Sequence, residues 1–370
     1  MKRLLVTGGA GFIGANFCRY WADAHPRDRL VVLDALTYAG NLANISELID
    51  GGRLRFVHGD ILEGERIARL MHEERIDTVV NFAAQSHVDR SIDDPSVFVR
   101  TNVMGTQALL EAARAAWVGR TADGPHRFHH ISTDEVYGSL RPDELAFTER
   151  SPYLPSSPYA ASKAAADHLV RAYQRTYGLP CTISNCSNNY GPFQFPEKLL
   201  PLCILNILEG HRLPIYGDGL HIRDWLHVRD HCGAIDLILH ASPAGETWNV
   251  GGGAAQQPNL TVIEMLCDLV DSAFNHDSRL ENRFPHSPPA RKRRSRELIE
   301  HVRDRPGHDR RYAIDCTKLC ERLNFRAAQP FTAGLPATVR WYLDNESWWR
   351  DVRRRATAAP ANPAAQAVVQ

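Results

Sequence analysis

The sequence predicts an α/β fold in which a doubly wound parallel sheet carries a smaller, mixed α/β domain. In the first half, short apolar runs alternate with longer stretches of helical period, which is typical of repeated βαβ units. In the second half this alternation fades, loops rich in Pro and Gly appear, and helical stretches predominate. We therefore expect residues 1–188 to form the first domain, with a returning segment near 222–252, and residues 189–350 mainly the second.

Six short apolar runs before residue 188 are the candidate strands. In chain order they are RLLVTG (3–8), LVVLDA (30–35), LRFVHGD (54–60), DTVVNFAA (77–84), HRFHHIST (126–133) and PCTISNC (180–186). The main helices are expected at 13–25, 65–74, 95–117, 158–177, 198–209 and 260–273. A late run, TWNVGG at 247–252, can return as a strand to the first sheet.

Composition excludes several classes of protein. The 43 basic and 43 acidic residues cancel, so no global field favours nucleic acid or an anionic membrane as a partner. The basic run RKRRSR (291–296) is interpreted as a solvated loop rather than a nucleic-acid patch. No apolar run reaches 18 residues, glycines interrupt any N-terminal signal sequence, and residues 351–370 are predicted to be a disordered Ala/Pro-rich tail.

The eight cysteines show no CxxC pair and no spacing typical of a disulfide scaffold. Reduced thiols in a cytoplasm are therefore expected. Cys316 and Cys320 stand four residues apart, which favours one buried helix face over a metal site. We expect no metal.

The first chemical motif is TGGAGFIG, which lies between a candidate strand and a candidate helix. Its Gly8, Gly9, Gly11 and Gly14 permit a tight turn and let a pyrophosphate approach the helix N-terminus. Asp34 ends the second strand, where a carboxylate binds the hydroxyls of an adenosine ribose, and this favours NAD over NADP. The pattern predicts a Rossmann-type NAD-binding domain whose cofactor residues are Gly8, Gly11, Phe12, Ile13, Gly14, Asp34, Asp60, Ile61 and Ala83, together with Tyr159 and Lys163 below.

The segment YAASK places Tyr159 and Lys163 four residues apart, so that both side chains project from one helix face. A nearby ammonium and a cationic nicotinamide would lower the pKa of the phenol from about 10 towards neutrality. Tyr159 is thus a candidate base for a sugar hydroxyl.

The fifth candidate strand ends in the triplet Thr133, Asp134 and Glu135. Ligands of open α/β sheets lie beyond the carboxyl ends of the strands, so these side chains are expected in the site. The alternative is a helix cap, with Thr or Asp as N-cap and an acid in the first turn. Two adjacent acids suit a reaction that needs both an acid and a base, such as elimination of water.

Together these motifs resemble those of the nucleotide-sugar 4,6-dehydratases, a family of the extended short-chain dehydrogenase/reductase superfamily, over roughly residues 2–352. The resemblance is strongest to members acting on dTDP-glucose. It also rests on SHVDRS (86–91), NCSNNYGP (185–192), FPEKLLP (195–201), PIYGDGLHIRDWLHVRDH (214–231) and RPGHDRRYAID (305–315).

The resemblance implies a cytoplasmic hydro-lyase of deoxysugar biosynthesis, a homodimer, that converts dTDP-glucose to dTDP-4-keto-6-deoxy-glucose. It implies tightly bound NAD, regenerated in each turnover, with Tyr159 as the base at the C4 hydroxyl, assisted by Thr133 and Lys163. Asp134 would protonate the departing C6 hydroxyl and Glu135 would remove the C5 proton. Asp134 must then hold a proton near neutral pH, through burial or repulsion from Glu135.

The resemblance also implies the substrate contacts, which are Ser86, His87, Thr133, Asn188, Glu197, Lys198, Leu199, Arg223, Asn259, His308 and Tyr312. Gln85 departs from the family pattern, which usually has Glu, and the segment 275–296 is longer and more basic than usual.

Three alternatives stay open. UDP-glucose dehydratases share the triplet, and a nucleotide-sugar 4-epimerase or decarboxylase would share the fold and the Tyr/Lys pair but not need the two acids. A non-catalytic NAD-binding protein would not need the tyrosine, the lysine and both acids together.

Overall fold

The computed structural model describes residues 1–118, 125–253 and 256–358, and within them twelve strands form one large and two small sheets. The strands are β1 Arg3–Thr7, β2 Arg29–Asp34, β3 Leu54–His58, β4 Thr78–Asn81, β5 Arg127–Thr133, β6 Cys181–Cys186, β7 Asn188–Tyr190, β8 Leu213–Tyr216, β9 Ile222–His227, β10 Thr247–Val250, β11 Gln256–Pro258 and β12 Ile299–Val302.

Fourteen α-helices complete the described part of the chain. They are α1 Phe12–Ala24, α2 Ser46–Asp50, α3 Gly64–Glu73, α4 Val88–Asp93, α5 Pro95–Phe98, α6 Thr106–Trp117, α7 Pro158–Tyr177, α8 Leu199–Glu209, α9 Val228–Ala241, α10 Asn259–His276, α11 Arg279–Arg283, α12 Thr317–Leu323, α13 Phe331–Asp344 and α14 Glu346–Ala358. None of these helices is both long and apolar enough to cross a membrane.

The large sheet is parallel and has the order β10-β6-β5-β4-β1-β2-β3. The order reverses at β1, which pairs with β2 on one side and with β4 on the other. A ligand crevice is expected at such a switch point, outside the carboxyl ends of the strands. The predicted α/β class with a doubly wound sheet and a second mixed domain is confirmed.

Both faces of this sheet are buried, which explains why its strands read as continuous apolar runs. In β1, Leu4 and Val6 pack into one core cluster with α1 and α9, and Leu5 packs into another with α3, α6 and α7. This follows from the alternation of side chains along a strand. The late strand β10 pairs with β6 at the sheet edge, so residues 247–250 join the first sheet.

The helix predicted over 95–117 is interrupted. The structure instead has α5, a π-helical segment Val99–Gly105 and then α6. Buried Asn102, in the π-helical segment, donates from Nδ2 to the Gln85 carbonyl at 3.0 Å and accepts the Gln85 N–H at 2.8 Å through Oδ1. Hydrophobic period alone could not reveal this polar interaction.

The second part of the chain has its own core. It is built from α8, α10, α13 and α14 around Ile204, Leu266, Leu335 and Trp349. The two small sheets have the orders β11-β9-β7 and β12-β8.

The predicted disordered tail is wrong for residues 351–358, which continue α14. Trp349 is fully buried, Val352 is nearly so, and Arg350 pairs with Glu346 at 2.7 Å within the helix. These contacts stabilise a segment whose composition alone suggested disorder. Residues 359–370 lie outside the described part.

The basic run 291–296 pairs with acids on its own surface. Lys292 pairs with Glu281 at 2.5 Å, and Arg296 pairs with Asp268 at 2.6 Å. All eight cysteines are free thiols.

Candidate active site

A long cleft lies at the switch point between β1 and β4, beyond the carboxyl ends of the strands. It is lined by all of the predicted cofactor residues, which are Gly8, Gly11, Phe12, Ile13, Gly14, Asp34, Asp60, Ile61, Ala83, Tyr159 and Lys163. The whole catalytic set, Thr133, Asp134, Glu135, Tyr159 and Lys163, lines the same cleft. Motifs separated by more than a hundred residues therefore meet in one crevice.

The glycine loop packs tightly against neighbouring backbone, which requires residues without a Cβ. Gly8 has a φ of +68°, which side-chain-bearing residues rarely adopt. A Cβ at Gly14 would lie 2.3 Å from the Gly8 carbonyl oxygen. Helix α1 begins after Gly11 without a side-chain cap and without an acid in its first turn, which leaves its N-terminus suited to a pyrophosphate.

Asp34 stands at the end of β2, facing the same loop. Its Oδ2 accepts the Ala10 N–H at 2.9 Å, and its Oδ1 accepts the Leu36 N–H at 2.8 Å. Burial raises the pKa of Asp34, and the two backbone hydrogen bonds oppose that shift. A carboxylate has acceptor positions beyond these two bonds, so Asp34 can still bind ribose hydroxyls.

These residues fit NAD. The loop packs closely on α1 because Gly14 has no side chain, the N-terminus of α1 lacks a side-chain cap, and an acid rather than a base ends β2. When bound, NAD supplies a hydride acceptor beside Tyr159 and Lys163.

Helix α7 presents the tyrosine and the lysine to the cleft. It begins at Pro158, and the Ser157 side chain caps it by accepting the Ala160 N–H at 3.1 Å. Tyr159 and Lys163 follow on one face, both buried, and Lys163 Nζ donates to the Ile131 carbonyl at 2.7 Å.

Tyr159 lies against Thr133 and near the paired acids. Burial, followed by the Glu135 carboxylate, raises the pKa of Tyr159 well above its ordinary value, and the hydrogen bond with Thr133 opposes this. We expected Lys163 and a bound nicotinamide to lower this pKa, whereas burial and the neighbouring protein groups raise it.

The triplet lies where β5 passes into a 3-10 helix, Asp134–Tyr137. Thr133 Oγ1 accepts the Glu135 N–H at 3.3 Å, so the capping interpretation is correct for the threonine. It does not account for the acids, since Asp134 is buried and its Oδ2 has no hydrogen-bond partner among the described residues. A buried carboxyl oxygen without a partner is costly for a merely structural residue.

The two acids have different environments. Burial raises the pKa of Asp134 well above its ordinary value, and the charges of Glu135 and Asp224 add to this. Burial also raises the pKa of Glu135, but three cations oppose it, namely Lys198, Arg223 and Arg305. Asp134 is therefore the better proton donor and Glu135 the better base. At Asp134, burial is the larger cause of the raised pKa, and repulsion from Glu135 is the second.

The predicted substrate residues fall into two groups. Ser86, Thr133, Asn188, Glu197 and Lys198 line the cleft. Lys198 Nζ donates to the Ser86 carbonyl at 2.7 Å, and Glu197 accepts from the Tyr38 hydroxyl at 3.0 Å. Asn188 Oδ1 is buried with no partner among the described residues.

Six predicted substrate residues are absent from the described cleft lining, namely His87, Leu199, Arg223, Asn259, His308 and Tyr312. His87 accepts the Arg90 N–H at 3.4 Å as the cap of α4, and Leu199 packs against the second core. Arg223 lies over the Tyr312 ring at 4.2 Å and is close enough to act on both acids of the triplet.

Near Arg223, the rings of His308 and His221 stack with centroids 3.7 Å apart. Asn259 donates its backbone N–H to the His221 carbonyl at 2.9 Å, and its Oδ1 is buried without a described partner. This second group forms a polar, partly cationic region beside the acids.

Sequence reasoning missed two residues that support the site. Asp167 is fully buried on α7, where its Oδ2 accepts from Ser132 at 2.8 Å and from Tyr153 at 2.9 Å. The signal was present, because 159, 163 and 167 continue one i,i+4 stripe. Asn102, which also donates to the Ser162 hydroxyl at 2.8 Å, had no comparable signal.

Comparison with known proteins supports the same interpretation. The family model described as GDP-mannose 4,6 dehydratase matches residues 5–338. The chain is 48% identical to dTDP-glucose 4,6-dehydratase of Salmonella typhimurium over 96% of both chains. It is 49% identical to the enzyme of Neisseria meningitidis serogroup B, over 95% of this chain and 96% of the relative.

Among solved structures, the chain is similar to dTDP-glucose 4,6-dehydratase from Streptomyces venezuelae, which was crystallised with NAD and dTDP bound. The TM-score is 0.83 at 46% identity, and the match covers 95% of this chain and 99% of that one. The predicted family resemblance is confirmed.

Proposed function

We propose that this chain, which belongs to the dTDP-glucose 4,6-dehydratases, uses Tyr159 to start oxidation and the adjacent acids Asp134 and Glu135 to eliminate water. It is a hydro-lyase that converts dTDP-glucose to dTDP-4-keto-6-deoxy-glucose with NAD as cofactor. The observation that carries the proposal is the pair of neighbouring carboxyls, facing one tyrosine, whose pKa values are raised to different extents by their surroundings.

Tyr159 removes the proton of the C4 hydroxyl. Its hydrogen bond with Thr133 and its position on the face of α7 that carries Lys163 support this role. NAD, held by Gly8, Gly14 and Asp34, would supply the hydride acceptor for C4 and then the hydride donor for C6, so that it would be regenerated in each turnover.

Glu135 and Asp134 act on the ketone that results. A C4 ketone makes the C5 hydrogen acidic, and Glu135, beside three cations, takes that proton as a carboxylate. Asp134, kept protonated by burial and by its neighbouring acids, gives its proton to the departing C6 hydroxyl. The leaving group is then water.

The nucleotide part of the substrate is assigned to the polar region around Arg223. A guanidinium can bind a diphosphate in a bidentate manner, and Arg223 is buried over Tyr312. His308 and Asn259 lie on the same side, while Ser86, Asn188, Glu197 and Lys198 are assigned to the sugar. His87 and Leu199 are assigned supporting roles, because both make contacts outside the cleft lining.

The active form is proposed to be a homodimer in the cytoplasm. Apolar side chains on the helical face from α5 to α7 are exposed, namely Val97, Val99, Met104 and Tyr177. Such a face is suited to a second copy of the chain. Eight free thiols are consistent with a reducing compartment.

The test is incubation of the purified protein with dTDP-glucose and, separately, UDP-glucose, without added NAD, with the product mass followed over time. We expect loss of one water, with the thymine nucleotide preferred and the cofactor retained through purification. An unchanged mass with a galactose-configured product would overturn the assignment of the acids. Equal rates with both nucleotides would overturn the base preference only.

A further inference from the structure

His130 is a fully buried titratable residue that the mechanism above does not use. It lies on β5, three residues before Thr133, and it does not line the cleft. Its Nε2 is 3.1 Å from Lys163 Nζ, and its Nδ1 is 3.1 Å from the side-chain amide of Asn81. It therefore connects the sheet core to the lysine that faces the cleft.

The geometry accounts for the hydrogen-bonding positions of that lysine. An ammonium has three N–H donors. One goes to the Ile131 carbonyl at 2.7 Å and one to His130 at 3.1 Å, which leaves one for the cleft. Lysine has a flexible four-carbon stem, so two fixed acceptors determine where the third N–H points.

We propose that His130 is a positioning residue for the reaction, whose Nε2 lone pair holds Lys163 as an ammonium aimed into the cleft. This inference rests on the proposed function, since it acts on the Tyr159 base through Lys163.

His130 has the protonation state that this role needs. Burial, followed by the charges of Lys163, His129 and Arg171, lowers the pKa of His130 well below its ordinary value, so the ring is neutral. A neutral ring that accepts at Nε2 carries its proton at Nδ1. In the structure Asn81 Nδ2 faces His130 Nδ1 at 3.1 Å, and Thr7 Oγ1 donates to Asn81 Oδ1 at 2.7 Å. The proposed role requires the same amide turned by 180°, so that its oxygen accepts from Nδ1–H and its nitrogen donates to Thr7 Oγ1.

Lys163 needs such an acceptor because its own surroundings disfavour charge. Burial lowers the pKa of Lys163 to about 8, and Asp167 and Cys186 are the titratable groups that oppose this. Asp167 Oδ1 is 3.5 Å from His130 Nε2, so it acts on the ring as well as on the lysine. Around Tyr159 the titratable neighbours are Glu135, Cys186 and Asp134, and all three disfavour the phenolate. A charged Lys163, one turn further along the same helix face, would offset them.

Two amide variants test the link. In His130→Gln the longer side chain can put an oxygen where Nε2 lies, whereas in His130→Asn it reaches only the Nδ1 position. The matched control is His129→Asn, on the same strand and equally buried, because His129 bonds to Thr182 at 2.9 Å and Ser184 at 3.1 Å instead.

The readouts are the pH dependence of substrate conversion and the pH dependence of NAD binding to the apoprotein. The alkaline limit is the pH above which substrate conversion or NAD binding is lost. We expect His130→Asn to lower this limit by about one unit in both measurements, because it removes one hydrogen bond to a charged group. His130→Gln should keep the wild-type limits, and so should His129→Asn. Unchanged limits in His130→Asn, or an equal movement in His129→Asn, would overturn the proposal.

A third variant keeps the test valid if His130→Asn does not fold. In Asn81→Asp a carboxylate faces Nδ1–H, which makes Nε2 a better acceptor and should move the alkaline limits to higher pH. An unchanged limit there would also overturn the proposal. If the wild-type protein removed no water, the proposed function would fail, while NAD binding would still test His130.

Discussion

The two ends of the cleft are formed by different parts of the protein, namely backbone at one end and titratable side chains at the other. The end around Gly8 and Gly14 is made of backbone, with one carboxylate, Asp34, bound to two backbone N–H groups. The end around Thr133 and Tyr159 is made of buried titratable side chains whose pKa values are shifted by one another. The first end depends on the absence of side chains and the second on their protonation states, so each should be sensitive to a different kind of change.

The largest effect is expected at the base. Tyr159→Phe removes the group that accepts the C4 proton, so conversion should fall by about 10³-fold, and no reduced nicotinamide should appear on mixing with substrate. Stopped-flow absorbance of the cofactor measures this.

The matched control is Tyr190→Phe, because Tyr190 is as buried and its hydroxyl has no described partner. Full turnover in Tyr159→Phe would show that the base lies elsewhere.

Asp134→Asn should separate the two chemical steps. Elimination should slow by about 10²-fold because an amide cannot deliver a proton to the departing hydroxyl, while oxidation at C4 continues. Reduced cofactor should then accumulate during turnover, which absorbance and product mass can follow together.

Asp230→Asn is the control, since Asp230 is a buried acid that accepts the Ala328 N–H at 3.0 Å and the Gln329 N–H at 2.9 Å. Equal loss of both steps in Asp134→Asn would count against its role as the acid.

Gly14→Ala should affect only the backbone-built end. The new Cβ would lie 2.3 Å from a carbonyl oxygen, so the loop must shift, and NAD affinity of the apoprotein should fall about tenfold or more. Titration by fluorescence quenching measures the affinity.

At Gly64 an added Cβ would make only ordinary contacts at 3.7 Å, so Gly64→Ala should bind NAD like the wild type. Normal binding by Gly14→Ala would show that this end tolerates side chains after all.

The smallest effect is on stability and depends on pH. The folded pKa of Asp134 lies above its ordinary value of 3.8, so ionising it disfavours the folded state. The free-energy cost of ionising Asp134 in the folded state begins as the pH rises above its unfolded pKa, and it stops growing above its folded pKa. An asparagine at this position has no such cost. Asp134→Asn should therefore gain free energy of unfolding relative to wild type as pH rises through that window, by about 1.4 kcal/mol for each unit of raised pKa.

Urea unfolding of the apoproteins at several pH values measures this difference. A difference that stays constant with pH would mean that Asp134 is not held protonated.

The same division explains what the sequence could reveal. The glycine loop, Asp34 and the Tyr159/Lys163 pair are local patterns at strand ends or on one helix face, so spacing was enough to predict that they line one cleft. Whether Asp134 or Glu135 has the higher pKa depends on three cations from distant segments, namely Lys198, Arg223 and Arg305. No local sequence pattern contains that information. The roles assigned to individual substrate residues stay predictions.

His130 and Asn102 show a second limit. Both are polar residues inside elements that hydrophobic period describes well, and their partners, Lys163 and Gln85, are 33 and 17 residues away. The helical start of the predicted tail was missed for a related reason, since Trp349 is buried by contacts with the second core.

The π-helical segment Val99–Gly105 limits which changes of chain length the protein can accept. One residue more or fewer in a helix rotates everything beyond it by about 100°. Deleting a residue here would regularise the helix but turn Asn102 away from either Gln85 or Ser162, and so disconnect the loop after β4 from the helix that carries Tyr159. Length variation among relatives should therefore fall in surface loops and spare 95–117, although this stretch includes exposed helix surface.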